Sequence, residues 1–182
     1  AVATFLSVLL LGVQWGVLVG VIFAMALHIH TTLRPHMAIV GRFPGTEHYR
    51  DAERFNVETD KEVVTLRIDE SLYYANARYL EDKVARLLTE NSDMTDLILM
   101  CPAVNKIDAS ALSSLHEINK RLMSGNVRLH FSELHSHVRE RLYRSSLIDA
   151  LSGRIFLSQH EAMEALRPEP NWSHFFDHVD IH

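Results

Sequence analysis

The residues best placed to do chemistry lie in the run Ile107-Asp108-Ala109-Ser110, between an apolar segment and an amphipathic one. The Asp108 carboxylate can accept the free backbone N–H groups of Ser110 or Ala111 and stabilise the positive end of a helix dipole. A structural helix cap is therefore the first interpretation of Asp108. Two alternatives stay open: the helix start binds an anion, a nucleotide or a partner's carboxylate, or Ser110 is phosphorylated. The run has no glycine-rich phosphate loop, which disfavours a dedicated nucleotide site.

Histidines are frequent, with 12 in 182 residues. His174, His178 and His182 recur every four residues and would share one face of a helix, an arrangement that can bind zinc. Three ligands at a chain terminus are poorly preorganised, so solvated surface histidines are the preferred interpretation. His135 and His137 are interpreted in the same way. We therefore predict no metal site.

The pattern of reactive residues does not indicate an enzyme. The adjacent carboxylates Asp69-Glu70 and Glu81-Asp82 are interpreted as solvated. The single cysteine, Cys101, has no activating neighbour in the sequence, and no Ser/His/Asp or Cys/His constellation is evident. We predict neither catalytic residues nor a cofactor.

Charge is distributed very unevenly along the chain. The first 33 residues contain no Asp, Glu, Lys or Arg, so all 18 basic and 23 acidic residues follow them. The net charge of −5 belongs to the later part, and an acidic domain disfavours nucleic acid as a partner because phosphate contacts need a basic face. The uncharged start predicts a membrane segment, and the remainder predicts a water-soluble domain.

The uncharged segment, residues 1–33, is too long for one simple membrane helix. It would extend about 50 Å as a helix, against a hydrocarbon core of roughly 30 Å. Two glycines and Trp15 at positions 12–16 mark the interruption, which makes Ala1–Leu11 the end of one helix and Gln14–Thr32 a complete span. A small-residue face for packing on another helix is formed by Gly12, Gly16, Gly20 and Ala24. The alternative is that these residues only reflect the ordinary composition of membrane helices.

The later part alternates strand and helix patterns. Right-handed crossovers between such elements predict an α/β fold with a mainly parallel central sheet between helices. The expected elements are a strand at 63–68, a helix capped by Asn76, a buried strand at 97–101, a helix ending at Gly125, a strand at 127–131, a third helix from Val138 to Ile148, a short strand at 154–157 and a closing helix at 159–166.

Several runs in this order resemble one known family. Arg34–Arg50, Asn56–Thr59, Asp69–Asn76 and Ile107–Ser110 resemble the last membrane helix and cytosolic STAS domain of SulP-family anion transporters, and the likeness reaches about Leu166. This resemblance implies a STAS-like sandwich preceded by a transmembrane helix. The implied organisation is a membrane segment at 1–33, a linker at 34–55, a STAS domain at 56–166 and a tail at 167–182. The aromatic tail residues Trp172, Phe175 and Phe176 are expected to cover an edge of the domain or pack on another subunit.

The resemblance implies a function for the chain within a longer protein. It would be the C-terminal part of a secondary active transporter for an inorganic anion such as sulfate or bicarbonate, with a cytosolic STAS domain for regulation or assembly. The implied partners are the lipid bilayer, the remaining transporter helices, a second subunit in a homodimer and a cytosolic regulatory protein. The basic residues Arg34 and Arg42 after the apolar segment also favour a cytoplasmic domain. Substrate-binding residues would lie in the other helices.

The alternative is a membrane-anchored STAS regulatory module that binds a signalling protein and is related to the anti-sigma-factor antagonists. In that group the resemblance implies a phosphorylated serine directly after the loop aspartate. Ala109 occupies this position here and has no hydroxyl, which disfavours the phosphoserine switch.

Overall fold

The computed structural model describes residues 13–33, 35–167 and 173–174, which divide into two compact units. The first unit ends at Pro35 and contains helix α1, Val13–Leu33. The helix confirms that the predicted span Gln14–Thr32 is helical, whereas Ala1–Leu11 and Gly12 lie outside the described residues. Over the part of the chain that the structure describes, no helix has both the length and the apolar character needed to cross a membrane.

The second unit begins at His36 and is built on a seven-stranded sheet. Its strands run in the spatial order β6-β5-β4-β1-β3-β7, and β2 pairs with β1 outside this path. Strands β4, β5 and β6 are parallel, and the other pairings are antiparallel. The strands are β1 Met37–Arg42, β2 Tyr49–Asp51, β3 Glu58–Thr59, β4 Val63–Ile68, β5 Asp96–Met100, β6 Arg128–Ser132 and β7 Ser173–His174.

Helices cover both faces of this sheet. They are α2 Tyr74–Glu90, α3 Ala109–Ser124, α4 Ser136–Tyr143, α5 Leu147–Ala150 and α6 Gln159–Leu166. The larger core cluster joins the sheet to α2 and α3, and the smaller one packs Ile98 against Phe156 and Met163. Every residue of β5 is buried because helices lie on both of its faces. This is the predicted α/β sandwich with a parallel centre.

Part of the segment expected to be a linker belongs to the sheet. Strand β1 pairs with β4 in the register Met37↔Ile68 and Ala38↔Arg67, and β2 pairs with β1. The compact unit therefore begins about 20 residues earlier than residue 56. Glycine and proline in this segment signal turns, and the pairing partner that makes β1 a strand lies more than 25 residues away along the chain.

Three local expectations need correction. Asn76 is not the cap of α2: the helix follows Tyr73, and the Asn76 side chain reaches back to accept the Tyr73 backbone N–H at 2.9 Å. Residues 154–157 form no strand beyond a single bridge at Ile155, because the Arg154 N–H donates to His130 Nδ1 instead. The third helix is two helices, α4 and α5, separated at residues 144–146.

Candidate regulatory surface at the start of helix α3

Asp108 joins the starts of two helices. Its Oδ1 accepts the backbone N–H of Ala111 at 2.7 Å, which makes Asp108 the N-cap of α3. Its Oδ2 accepts the backbone N–H of Tyr74, the first residue of α2, at 3.0 Å. The bond from Ala111 is the main reason that the pKa of Asp108 is lowered; burial opposes the shift, and the bond from Tyr74 adds to it.

The loop before Asp108 is fixed by backbone bonds to the segment before α2. The Leu72 N–H donates to the Lys106 carbonyl at 2.9 Å, and the Asp108 N–H donates to the Leu72 carbonyl at 3.1 Å. The Ser71 hydroxyl accepts the N–H groups of both Asn105 and Lys106 at 3.1 Å. The loop is thus held in one position relative to α2 and α3.

Two histidines of the α4 start hold the other side of this loop. His135 Nε2 donates to the Pro102 carbonyl at 2.9 Å, and His137 Nε2 donates to the Asn105 carbonyl at 2.6 Å. The two rings stack with centroids 5.8 Å apart and planes at 9°. The sequence interpretation of these residues as merely solvated missed this role. No local signal marks it, because the accepting carbonyls are more than 30 residues away.

Two grooves flank the start of α3 and share Arg141 and Arg144 of the α4 end. The groove on one side is about 540 Å³, and Lys106, Asp108 and His137 contribute to its lining. The groove on the other side is about 610 Å³ and is lined in part by Ala109, Ser113 and His116. We call this region the α3-start surface, defined by residues 105–110, 137, 141 and 144. Ala109 and Ser110 are exposed on it.

The chemistry available at the α3-start surface is binding. Both oxygens of Asp108 already accept backbone N–H groups, so its carboxylate is not free to act as a base. Burial raises the pKa of the nearby Cys101 thiol to about 12, which keeps it protonated and unreactive. No cluster of three or more potential metal ligands occurs among the described residues. The lysine and two arginines can contact an acidic or carbonyl-rich partner.

The predicted site residues therefore fall into two groups. Asp108, Ala109 and Ser110 lie together on the α3-start surface, where their regulatory role stays a prediction. Gly16, Gly20 and Ala24 lie on α1 in the other unit, and Gly12 lies outside the described residues. The histidines at 178 and 182 also lie outside the described residues, and nothing tests their role.

A parallel-centred α/β sandwich with an aspartate-capped helix presented beside binding grooves defines the class of small α/β recognition domains. Residues 54–162 match the family model described as the STAS domain, and the chain belongs to this family. The match confirms the resemblance seen in the sequence.

The curated relatives are named as transporters. The chain is 30% identical over 168 residues to sulfate transporter 4.1, chloroplastic, of Arabidopsis thaliana, which covers 86% of this chain and 24% of the relative. It is 27% identical over 176 residues to high affinity sulfate transporter 2 of Stylosanthes hamata, covering 91% of this chain and 27% of the relative. The chain thus spans about a quarter of the length of the curated relatives it matches.

Solved structures share the fold. The murine solute carrier 26 family member A9 anion transporter, in its inward-facing state, superposes with a TM-score of 0.74 at 22% identity, covering 92% of this chain and 28% of that one. A structure assigned to the anti-sigma factor antagonists, from Thermotoga maritima, superposes with a TM-score of 0.53 at 22% identity. That match covers 64% of this chain and 97% of the bacterial one, so the bacterial protein is a STAS-type fold nearly complete in itself.

Proposed function

We propose that this chain is the C-terminal part of a secondary active membrane transporter for an inorganic anion such as sulfate or bicarbonate. The observation that carries the proposal is the extent of the similarity. The STAS match covers residues 54–162, but the Stylosanthes sulfate transporter matches 91% of the chain. A match of that extent includes residues of the apolar helix α1 as well as the STAS domain. Sharing the preceding apolar helix distinguishes a transporter's STAS domain from a free-standing one.

In this proposal α1 belongs to the membrane domain of the longer protein. Its large apolar side chains are exposed within its own unit and would be covered by lipid and by the remaining transporter helices. These side chains are Val13, Trp15, Val17, Leu18, Val21, Ile22, Phe23, Met25 and Leu27. The small residues Gly12, Gly16, Gly20 and Ala24 would give the close approach to another helix. The STAS domain lies on the cytosolic side, and the complete protein is a homodimer.

The α3-start surface is proposed as the place where a cytosolic regulatory protein contacts the STAS domain. Its support is the pair of grooves that share Arg141 and Arg144, together with the exposed Ala109 and Ser110 between them. Arg144 is near only one carboxylate of the described residues, Glu140 at 3.9 Å, so its charge is available to a partner. Because Ala109 has no hydroxyl, this regulation does not need a phosphoserine after the loop aspartate.

The test is made on the complete protein encoded by the longer reading frame. The frame upstream of Ala1 is expected to encode a series of apolar segments. The complete protein is produced in cells lacking endogenous uptake, and uptake of labelled sulfate, bicarbonate and fumarate is compared. Saturable uptake of one of the inorganic anions is expected. Absence of uptake of either inorganic anion, with the protein verified in the membrane, contradicts the transport proposal, as does an initiator methionine directly upstream of Ala1.

The regulatory part of the proposal needs a separate comparison. Replacement of both Arg141 and Arg144 by Ala is expected to change the uptake rate in intact cells while leaving the order of anion preference unchanged. The matched control is Arg78→Ala, which removes an exposed arginine of α2 outside both grooves. Equal uptake rates for the double variant, the control and the unaltered protein would reject the α3-start surface as a regulatory contact.

A further inference from the structure

A third groove lies on the opposite part of the sheet, around the β1–β2 hairpin. It has a volume of about 490 Å³ and is lined by Phe43, Thr46, His48, Arg50 and Phe55. We call it the hairpin groove. Phe43 and Phe55 are 43% and 46% exposed, a large area of aromatic surface to leave in water. Arg50 is exposed and makes no ion pair with the described residues.

The register of the strands shows which side chains share the face of this groove. Arg42 is paired with Tyr49 on one side and with Glu58 on the other. One step further along β1, Phe43 is therefore opposite His48 and Val57, and its N–H donates to the His48 carbonyl at 2.8 Å. Opposed residues project to the same face of a sheet, and residues two apart do so as well. Phe43, His48, Arg50 and Val57 consequently belong to one face.

Gly41 provides an independent check on this assignment. A Cβ added at Gly41 would lie 2.7 Å from the Val57 Cγ2 atom. Positions 41 and 43 face the same way along β1, so the Val57 side chain is on the face of Phe43. The hairpin groove and Val57 therefore form one continuous surface.

The outer strand β7 leads the chain toward this surface. Ser173 is paired with Thr59, and His174 with Glu58. Each further residue of the chain would step back along β3, so that position 175 meets Val57, position 176 meets Asn56 and position 177 meets Phe55. The tail that follows His174 reads Phe175-Phe176-Asp177.

We propose that the chain continues the β3–β7 ladder past His174 and that Phe175 and Asp177 close the hairpin groove. The register puts Phe175 in one row with Val57 and Phe43, two strand spacings from Phe43, which is about 10 Å between backbones and within reach of two aromatic side chains. Asp177 falls on the same face, where its carboxylate meets Arg50. Phe176 falls on the opposite face.

The occupant is this chain's own tail for three reasons. The tail begins at the paired residue His174, so it is delivered to the groove without the entropy cost of bringing in a second molecule. Its alternation of Phe175 and Asp177 matches the apolar and cationic halves of the groove. A two-residue ladder is also a short way to end a sheet, and three more residues would cover the exposed edge of β3. The inference does not depend on the transport proposal.

The first experiment measures the register directly on the full 182-residue chain in detergent. Cysteines are introduced in pairs by Asn56→Cys with Phe176→Cys, which the ladder makes direct neighbours, and by Asn56→Cys with Phe175→Cys, which it places on opposite faces. Asn56 is exposed, and the natural Cys101 is buried and stays unreactive. We expect the first pair to form an intramolecular disulfide under mild oxidation at least ~10-fold faster than the second, because disulfides require closely opposed Cβ atoms.

The outcomes of this comparison separate the possible occupants. Equal rates for the two pairs, or no disulfide in either, would overturn the proposal. Disulfides found only between chains would assign the groove to a second copy and would also overturn it.

The second experiment tests the side chain that fills the groove. Phe175→Ala should speed amide hydrogen exchange in the hairpin, residues 43–50, several-fold over the unaltered chain. Phe176→Ala is the matched control, because it removes the same ring from the opposite face. Equal exchange in the two variants would show that neither aromatic ring closes the groove preferentially, and the proposal would be withdrawn.

Discussion

The Asp108 carboxylate and the Tyr74 backbone N–H are joined by a 3.0 Å hydrogen bond, although 34 positions separate them in the chain. The other oxygen of the same carboxylate caps α3. One side chain therefore satisfies backbone donors at the starts of two neighbouring helices and sets their relative position. This arrangement supports the loop that carries Ala109 and Ser110.

Replacing Asp108 should destabilise the domain in steps. Asp108→Ala removes both acceptors and is expected to lower the free energy of unfolding by about 1–2 kcal/mol. Asp108→Asn keeps one acceptor oxygen and should cost less. Urea denaturation measures the change, with Ser110→Ala as a control for the same turn because the Ser110 side chain is exposed. An unchanged midpoint for Asp108→Ala would show that the cap contributes nothing to stability.

Acid should destabilise the protein through Asp96. Burial raises the pKa of this carboxyl, but hydrogen bonds from His130, Arg128 and Thr95 outweigh burial and bring it to about 2. A carboxyl whose folded pKa lies below its unfolded value contributes stability above the unfolded pKa and loses it as the pH falls through the folded pKa. About 2 kcal/mol is therefore expected to be lost between roughly pH 4 and pH 2.

The measurement for Asp96 is the denaturation midpoint as a function of pH. Asp96→Asn should be less stable than the unaltered protein at pH 7 and should show a flatter decline between pH 4 and pH 2. Asp93→Asn, at an exposed position three residues earlier, serves as the control and should decline like the unaltered protein. If all three curves run parallel, Asp96 is not the source of the acid sensitivity.

The buried amide of Gln159 should be costly to remove alone and cheap to remove with its partners. The Ser132 hydroxyl donates to Gln159 Oε1 at 2.7 Å, and Gln159 Nε2 donates to the Thr65 hydroxyl at 2.8 Å, with all three residues buried. Gln159→Met leaves two hydroxyls without partners and should cost about 1–3 kcal/mol. Adding Thr65→Val and Ser132→Ala should recover a large part of that loss in thermal denaturation. A triple variant less stable than the single one would contradict this account.

The position of β1 in the sheet predicts where the soluble unit must begin. A fragment of residues 36–182 retains the β1–β4 pairing, whereas a fragment of residues 56–182 exposes the edge of β4. Exposed sheet edges promote association, so the shorter fragment should aggregate or melt at a lower temperature. Circular dichroism and sedimentation compare the two. A shorter fragment that is monomeric and equally stable would show that β1 is dispensable.

The sequence alone determined the parts of this protein that depend on local periodicity. The alternating apolar residues of β4, the uninterrupted apolar run of β5 and the stripe at Leu115, Ile118 and Leu122 specify their strands and helix through short-range burial. The same is true of Asp108, because a helix cap binds backbone groups only a few residues away. From these elements follow the parallel-centred α/β sandwich and the surface at the start of α3.

Only the tertiary structure decided the contacts made between distant segments. It recruited β1 from the expected linker, moved the α2 cap from Asn76 to Tyr73, and set His135 and His137 against carbonyls of a remote loop. It also aligned Phe43, Val57 and the chain after His174 in neighbouring strands. Each of these depends on pairing register and on which donor meets which acceptor after folding. Those choices follow from the packing of the whole sheet, and neighbouring residues in the chain carry no record of them.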